Sequence, residues 1–165
     1  MNILIVDDNQ NKREYIKRQL CNMDENNYVK WVDNYQDAAT FIEENSVFID
    51  LIVLDWCFPP NSISRPRYGM GRHLLSYLLY NNIDINVLIC TTDKVQIDTE
   101  EYPFVKVVIE YYDHIPINIV VNNYLSEDNN VEEDIKTKML LKRDMKSKTE
   151  SGYKRRKSSE PWWLK

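Results

Sequence analysis

Five short runs of strand character, separated by stretches of helical periodicity, constrain this chain more than any other feature of its sequence. Ile3–Val6 is wholly apolar and stops at Asp7-Asp8-Asn9; Tyr15, Ile16, Leu20 and Met23 then recur at helical spacing among Lys and Arg. Tyr28–Val32 reads as a second strand and residues 37–42 as a short helix. Residues 50–54 (DLIVL) give the clearest strand, because four successive apolar residues suit a parallel strand covered on both faces. Residues 69–80 carry Leu74, Leu75, Leu78 and Leu79 as an apolar helical stripe. Residues 86–90 and 105–109 supply two more strands, and Ile117, Val120, Val121 and Tyr124 mark a last helix.

Strands alternating with helices imply right-handed crossovers and a doubly wound, five-stranded parallel sheet of the α/β class. In such sheets ligands bind beyond the carboxyl ends of the strands, where the strand order reverses. The residues that fall there are Asp7-Asp8, Asp55, Thr91-Thr92-Asp93 and Glu110. Converging carboxylates repel one another unless they are protonated, solvated or paired with a cation. A hard divalent ion is the natural partner, and Mg²⁺ favours one or two carboxylates plus waters and phosphate oxygens. An ionised aspartate can also attack phosphorus to give an acyl phosphate. The metal then neutralises charge on the transferring group, and a hydroxyl such as that of Thr91 can donate to a phosphate oxygen. Aspartates at strand ends also serve as turn formers and helix caps. That explanation covers any one of them better than it covers all of them together.

Composition narrows the class. At 165 residues and 43% hydrophobic content the chain suits one soluble domain with an appendage. No apolar run approaches the roughly 20 residues that span a bilayer. The opening MNILIVDDN has no basic segment and turns acidic at once, unlike a signal peptide. Cys21, Cys57 and Cys90 are dispersed without metal-ligand spacing, which suits reduced thiols in a cytoplasmic protein. His73 and His114 are isolated and read as surface or helix-end residues. Residues 1–135 hold 10 basic and 23 acidic side chains, whereas residues 136–165 hold 11 and 3, so body and tail are suited to different tasks.

LIVDDN at positions 4–9 and LIVLDWCFP at 51–59 resemble the two signature segments of response-regulator receiver domains, and the likeness extends over about residues 1–125. Pro59 and the Asp37-Ala38-Ala39 stretch are family-like as well. The resemblance implies a flavodoxin-like receiver fold. It also implies that Asp7, Asp8, Asp55 and the backbone carbonyl of Cys57 bind Mg²⁺. Asp55 would take a phosphoryl group from a histidine kinase or kinase-like ATPase, and Thr91 would hydrogen-bond that group and report its presence.

The sequence departs from that family in four places. Receivers carry a Lys at the end of the fifth strand, whereas this segment reads Val107-Val108-Ile109-Glu110-Tyr111, with Lys106 too early and Lys94 placed after the fourth strand. The segment from Pro59 to Gly69 is longer than the usual loop; its Arg65 and Arg67 either screen the acidic pocket, contact a phosphate or belong to a solvated loop. The stretch from Thr91 to Val105 is so short that the fourth helix must be stunted or irregular. No aromatic falls at the family's fifth-strand switch position.

Beyond Ser126, Val131, Ile135 and Met139 recur at a spacing of four, with Asn130 as a candidate cap, and predict a helix over 131–148. Lys154-Arg155-Arg156-Lys157 with Trp162 and Trp163 reads as a docking peptide or a solubilising tail. The expected organisation is therefore a receiver over 1–126, a helical extension over 127–148 and a basic tail over 149–165. Its expected role is that of a stand-alone, atypical receiver of a two-component system, a signalling module rather than an enzyme, acting on a downstream protein effector. Three rivals compete with it: a phosphorylation-independent pseudo-receiver, a nucleic-acid-associated regulator using the basic tail, and a small Mg²⁺ phosphohydrolase.

Overall fold

The computed structural model describes residues 1–111 and 116–125; His114, the helix expected over 131–148 and the basic tail lie outside the described residues. The chain divides into two units, Met1–Ile119 and Val120–Lys165. The elements run β1 (Asn2–Val6), α1 (Gln10–Met23), β2 (Tyr28–Val32), α2 (Tyr35–Asn45), β3 (Leu51–Leu54), β4 (Cys57–Phe58), β5 (Arg67–Tyr68), α3 (Met70–Tyr80), β6 (Asn86–Thr91), β7 (Val105–Glu110) and α4 (Ile117–Leu125).

Five strands pair in parallel in the order β2-β1-β3-β6-β7. The apolar runs occupy the middle of this sheet for a physical reason. Ile3, Leu4, Ile5 and Val6 of β1 and all of Leu51–Leu54 in β3 are buried, which only strands covered on both faces require. Leu4, Val6, Ile52, Leu54, Val87 and Ile89 share one core with Ala38 and Ile42 of α2 and Leu74, Leu75 and Leu78 of α3. Ile3, Ile5 and Val53 alternate to the opposite face, and α1 contributes the buried Ile16 and Leu20. Edge strand β2 alternates less cleanly and leaves Tyr28 and Trp31 exposed.

The helices begin where short polar side chains cap them. Asn9 accepts from the Lys12 backbone N–H at 3.1 Å and starts α1. Asn34 accepts from the Asp37 N–H at 2.9 Å and donates to its carboxylate at 2.7 Å, so α2 starts two residues before its apolar pattern does. The long segment after Pro59, expected as a loop, instead closes a small antiparallel hairpin in which Cys57 faces Tyr68 and Phe58 faces Arg67. Its first residues are anchored, since Tyr35 and Gln36 donate their N–H groups to the carbonyls of Pro59 and Pro60. Arg65 and Arg67 are exposed there. Residues 92–104, where a stunted or irregular fourth helix is expected, contain turns and no helix.

Candidate functional site

The chain leaves β1 toward β2 on one side and pairs with β3 on the other, so strand order reverses between β1 and β3. Val6 and Leu54 lie opposite each other in register, which puts the residues that follow, Asp7 and Asp55, at the same level of the sheet's carboxyl edge. Backbone bonds fix both. The Asp55 N–H donates to the Val6 carbonyl at 2.9 Å, and the Asp7 N–H to the Val32 carbonyl at 3.1 Å. Asp7 turns back to accept from the Asn9 N–H at 2.8 Å, so the residue that caps α1 also orients the acid.

Asp7, Asp8 and Asp55 each offer a carboxylate oxygen, and these oxygens all lie within 4.8 Å of one another. Three oxygen donors at this range, one of them on a half-buried residue open to solvent, suit a hard divalent cation that keeps waters of its own. Cys57 opens β4 two residues beyond Asp55. Burial raises its thiol pKa, with the negative charges of Asp93, Asp55 and Asp8 adding to the effect. Thr91 ends β6, is buried, and accepts from the Asp93 N–H at 3.2 Å while keeping its own proton as a donor. Glu110 pairs in register with Thr91 at the end of β7, the place expected to lack a lysine.

Sequence reasoning missed Lys12. This residue is 4% exposed, and its ammonium lies 2.8 Å from a carboxylate oxygen of Asp7 and 2.8 Å from one of Asp55. It also sits 5.3 Å from the ring centre of Tyr111, whose ring in turn meets Tyr15 edge-on. The signal was a spacing: Lys12, Ile16 and Leu20 are four apart and form the buried face of α1. Arg13, one position round the helix, reaches instead to the Asp7 carbonyl at 3.0 Å and lies 3.9 Å from Asp33.

Electrostatics follow burial. Burial pushes the Asp7 carboxyl up to about 6 against the pull of Lys12, with Asp55 adding repulsion. Asp8 is raised as well, chiefly by burial. Burial alone would lower Lys12, but the charges of Asp7 and Asp55 outweigh it and hold the ammonium above its ordinary value. Cys90, just behind the site, is pushed up to about 12 by burial and stays a neutral thiol.

No protein-family model matches the sequence, and no curated protein matches it. Solved structures do. The Mn²⁺-bound response regulator Rcp1 superposes with a TM-score of 0.58 at 19% identity, covering 77% of this chain and 95% of its own. The non-phosphorylated HemR receiver domain from Leptospira biflexa gives 0.55 at 21%, covering 72% and 88%. The phosphorylated cyanobacterial phytochrome response regulator RcpA gives 0.55 at 20%, covering 76% and 91%. The chain has the fold of a response-regulator receiver domain. Within this receiver fold the acidic cluster stands at the strand-order reversal, where doubly wound sheets bind their ligands. Among the described residues no helix is long and apolar enough to cross a membrane.

Proposed function

We propose that this chain is a phosphoacceptor receiver of a two-component system, taking a phosphoryl group on Asp55 beside a Mg²⁺ ion held by Asp7, Asp8 and Asp55. The observation that carries the reading is the convergence of three acids from two strand ends on one small volume. Asp7 and Asp55 are fixed by backbone hydrogen bonds before any ligand arrives, so little ordering remains to be done on binding. The structural neighbours support the same chemistry, one being described as Mn²⁺-bound and another as phosphorylated.

In the transfer, a carboxylate oxygen of Asp55 forms a bond to phosphorus while the bond between phosphorus and the donor breaks. The donor leaves with that electron pair, as acetate when acetyl phosphate is used and as neutral imidazole when a phosphohistidine protonated at its other ring nitrogen is used. Asp7, Asp8 and Asp55 would hold a Mg²⁺ ion, which when bound would supply positive charge to the phosphoryl oxygens. Thr91 would donate its hydroxyl proton to the new group, and the Cys57 backbone carbonyl would be a further ligand of the metal. A histidine kinase or kinase-like ATPase would be the donor and a protein effector the recipient of the signal.

Incubation of the full chain with acetyl phosphate and Mg²⁺ tests this, read by intact-protein mass and by phosphate-affinity gel shift. A Mg²⁺-dependent gain of one phosphoryl group, abolished in Asp55→Asn, is the expected result. No adduct, or an adduct that persists in the variant, removes the reading.

A further inference from the structure

A phosphoryl group added to Asp55 brings negative charge into a cluster that already holds three carboxylates, so the cations within reach decide whether it is tolerated. One is a divalent ion. Among the described residues, Arg13 reaches the Asp7 carbonyl, whereas the ammonium of Lys12 already touches the carboxylate that would carry the phosphoryl group.

The placement of Lys12 contradicts two local preferences at once. It is the third residue of α1 after the Asn9 cap, in a first turn with no acidic side chain, where the helix dipole disfavours a cation. It is also buried, and a charged amine leaves water only where partners replace the water. Both costs are met at one point, by Asp7 and Asp55 together. Local rules broken with compensation concentrated in a ligand site are a mark of function. The ammonium's third neighbour is the ring of Tyr111, the residue directly after β7. It therefore stands between Asp55 and the strand end that carries Glu110 in place of a lysine.

We propose that Lys12, carried by the first turn of α1, is the cation that contacts the phosphoryl group on Asp55, replacing one supplied from the end of β7. This inference rests on the phosphoacceptor reading of Asp55. Lys12 gives up no proton and forms no covalent bond. Its N–H exchanges one acceptor, the Asp55 carboxylate oxygen, for another, a phosphoryl oxygen. Before transfer the same ammonium balances Asp7 and Asp55 and competes with a divalent ion for them.

The test uses the full chain with Mg²⁺ and beryllofluoride, a phosphoryl mimic, followed by ¹⁹F NMR, with Mg²⁺ affinity measured separately by calorimetry. Lys12→Met should bind Mg²⁺ as tightly as the unmodified protein or more tightly, yet bind beryllofluoride about 10- to 100-fold more weakly, the range for one lost charged hydrogen bond. Adding Glu110→Lys to that variant should recover at least part of the loss by returning a cation from the strand end. Unchanged beryllofluoride affinity in Lys12→Met overturns the inference and leaves the phosphoacceptor reading intact. No adduct on the unmodified protein at saturating Mg²⁺ overturns both. Should Lys12→Met fail to fold, a crystal structure of the unmodified adduct decides. A Lys12 ammonium within hydrogen-bond distance of a fluoride supports the inference, and fluorides held by another lysine or by none overturn it.

Discussion

Asp7 and Lys12 form a buried ion pair whose two members respond differently to their surroundings. Burial wins at Asp7, pushing its carboxyl up to about 6, while two carboxylates hold the Lys12 ammonium charged. The consequence for stability has a definite sign. An aspartate with a raised folded-state pKa favours the folded chain below its ordinary value of 3.8 and loses that contribution as pH climbs through about 6. Metal-free protein should therefore lose on the order of 2–3 kcal/mol through Asp7 between pH 4 and pH 7, and Asp7→Asn should not. Urea unfolding of both proteins in chelator across that range checks it; parallel pH profiles would contradict the assignment. Of the candidate site, Asp7, Asp8 and Asp55 were legible because the Asp7-Asp8 pair and Asp55 each directly follow an apolar strand run. Lys12 was not, because among Arg13, Lys17 and Arg18 it looks like part of a solvated face. Only the phase set by the Asn9 cap turns it inward with Ile16 and Leu20.

At the scale of elements, α3 controls how Asp55 is presented. Its first turn lies against the end of β3, and the Gly71 N–H donates to the Trp56 carbonyl at 3.2 Å. A Cβ at position 71 would meet Trp56 Cε3 at 2.7 Å and the Asp55 carbonyl oxygen at 2.8 Å, too close for a side chain without moving the backbone that carries the acid. Gly71→Ala should cost ~1–3 kcal/mol and also weaken beryllofluoride binding. Gly69→Ala is the control, since a Cβ there meets nothing and only its φ of +83° is strained. It should cost about 1 kcal/mol and leave the adduct's affinity within twofold. Unfolding curves with ¹⁹F titrations of the two variants separate strain from site damage. The sheet was legible because buried parallel strands write themselves as unbroken apolar runs, as in Ile3–Val6 and Leu51–Leu54. The hairpin of Cys57–Phe58 with Arg67–Tyr68 was not, because two-residue strands leave no period to read and their partners lie across a loop of prolines and serines.

For the molecule as a whole, the proposed metal site predicts that the acidic edge couples stability to divalent ions. Asp7, Asp8 and Asp55 face one another with Lys12 as the cation between two of them, so the folded chain without metal stores repulsion that the unfolded chain does not. A Mg²⁺ or Mn²⁺ ion that binds only the folded chain adds about 2.7 kcal/mol at a hundred times its dissociation constant. For a chain of this size each kcal/mol moves the thermal midpoint by roughly 2–4 °C, so a rise of about 5–10 °C is expected. General screening cannot imitate this if NaCl is matched for ionic strength, because screening acts on all exposed charges alike. Asp8 gives the sharper comparison, being half-buried and without a bond to Lys12. Its raised pKa means that its ionised form destabilises the metal-free fold at neutral pH. Asp8→Asn should accordingly melt at or above the unmodified protein in chelator, and gain less than about a third of its Mg²⁺-induced rise. An equal rise in both proteins would place the ion away from these acids and remove the metal from the proposed phosphoacceptor site.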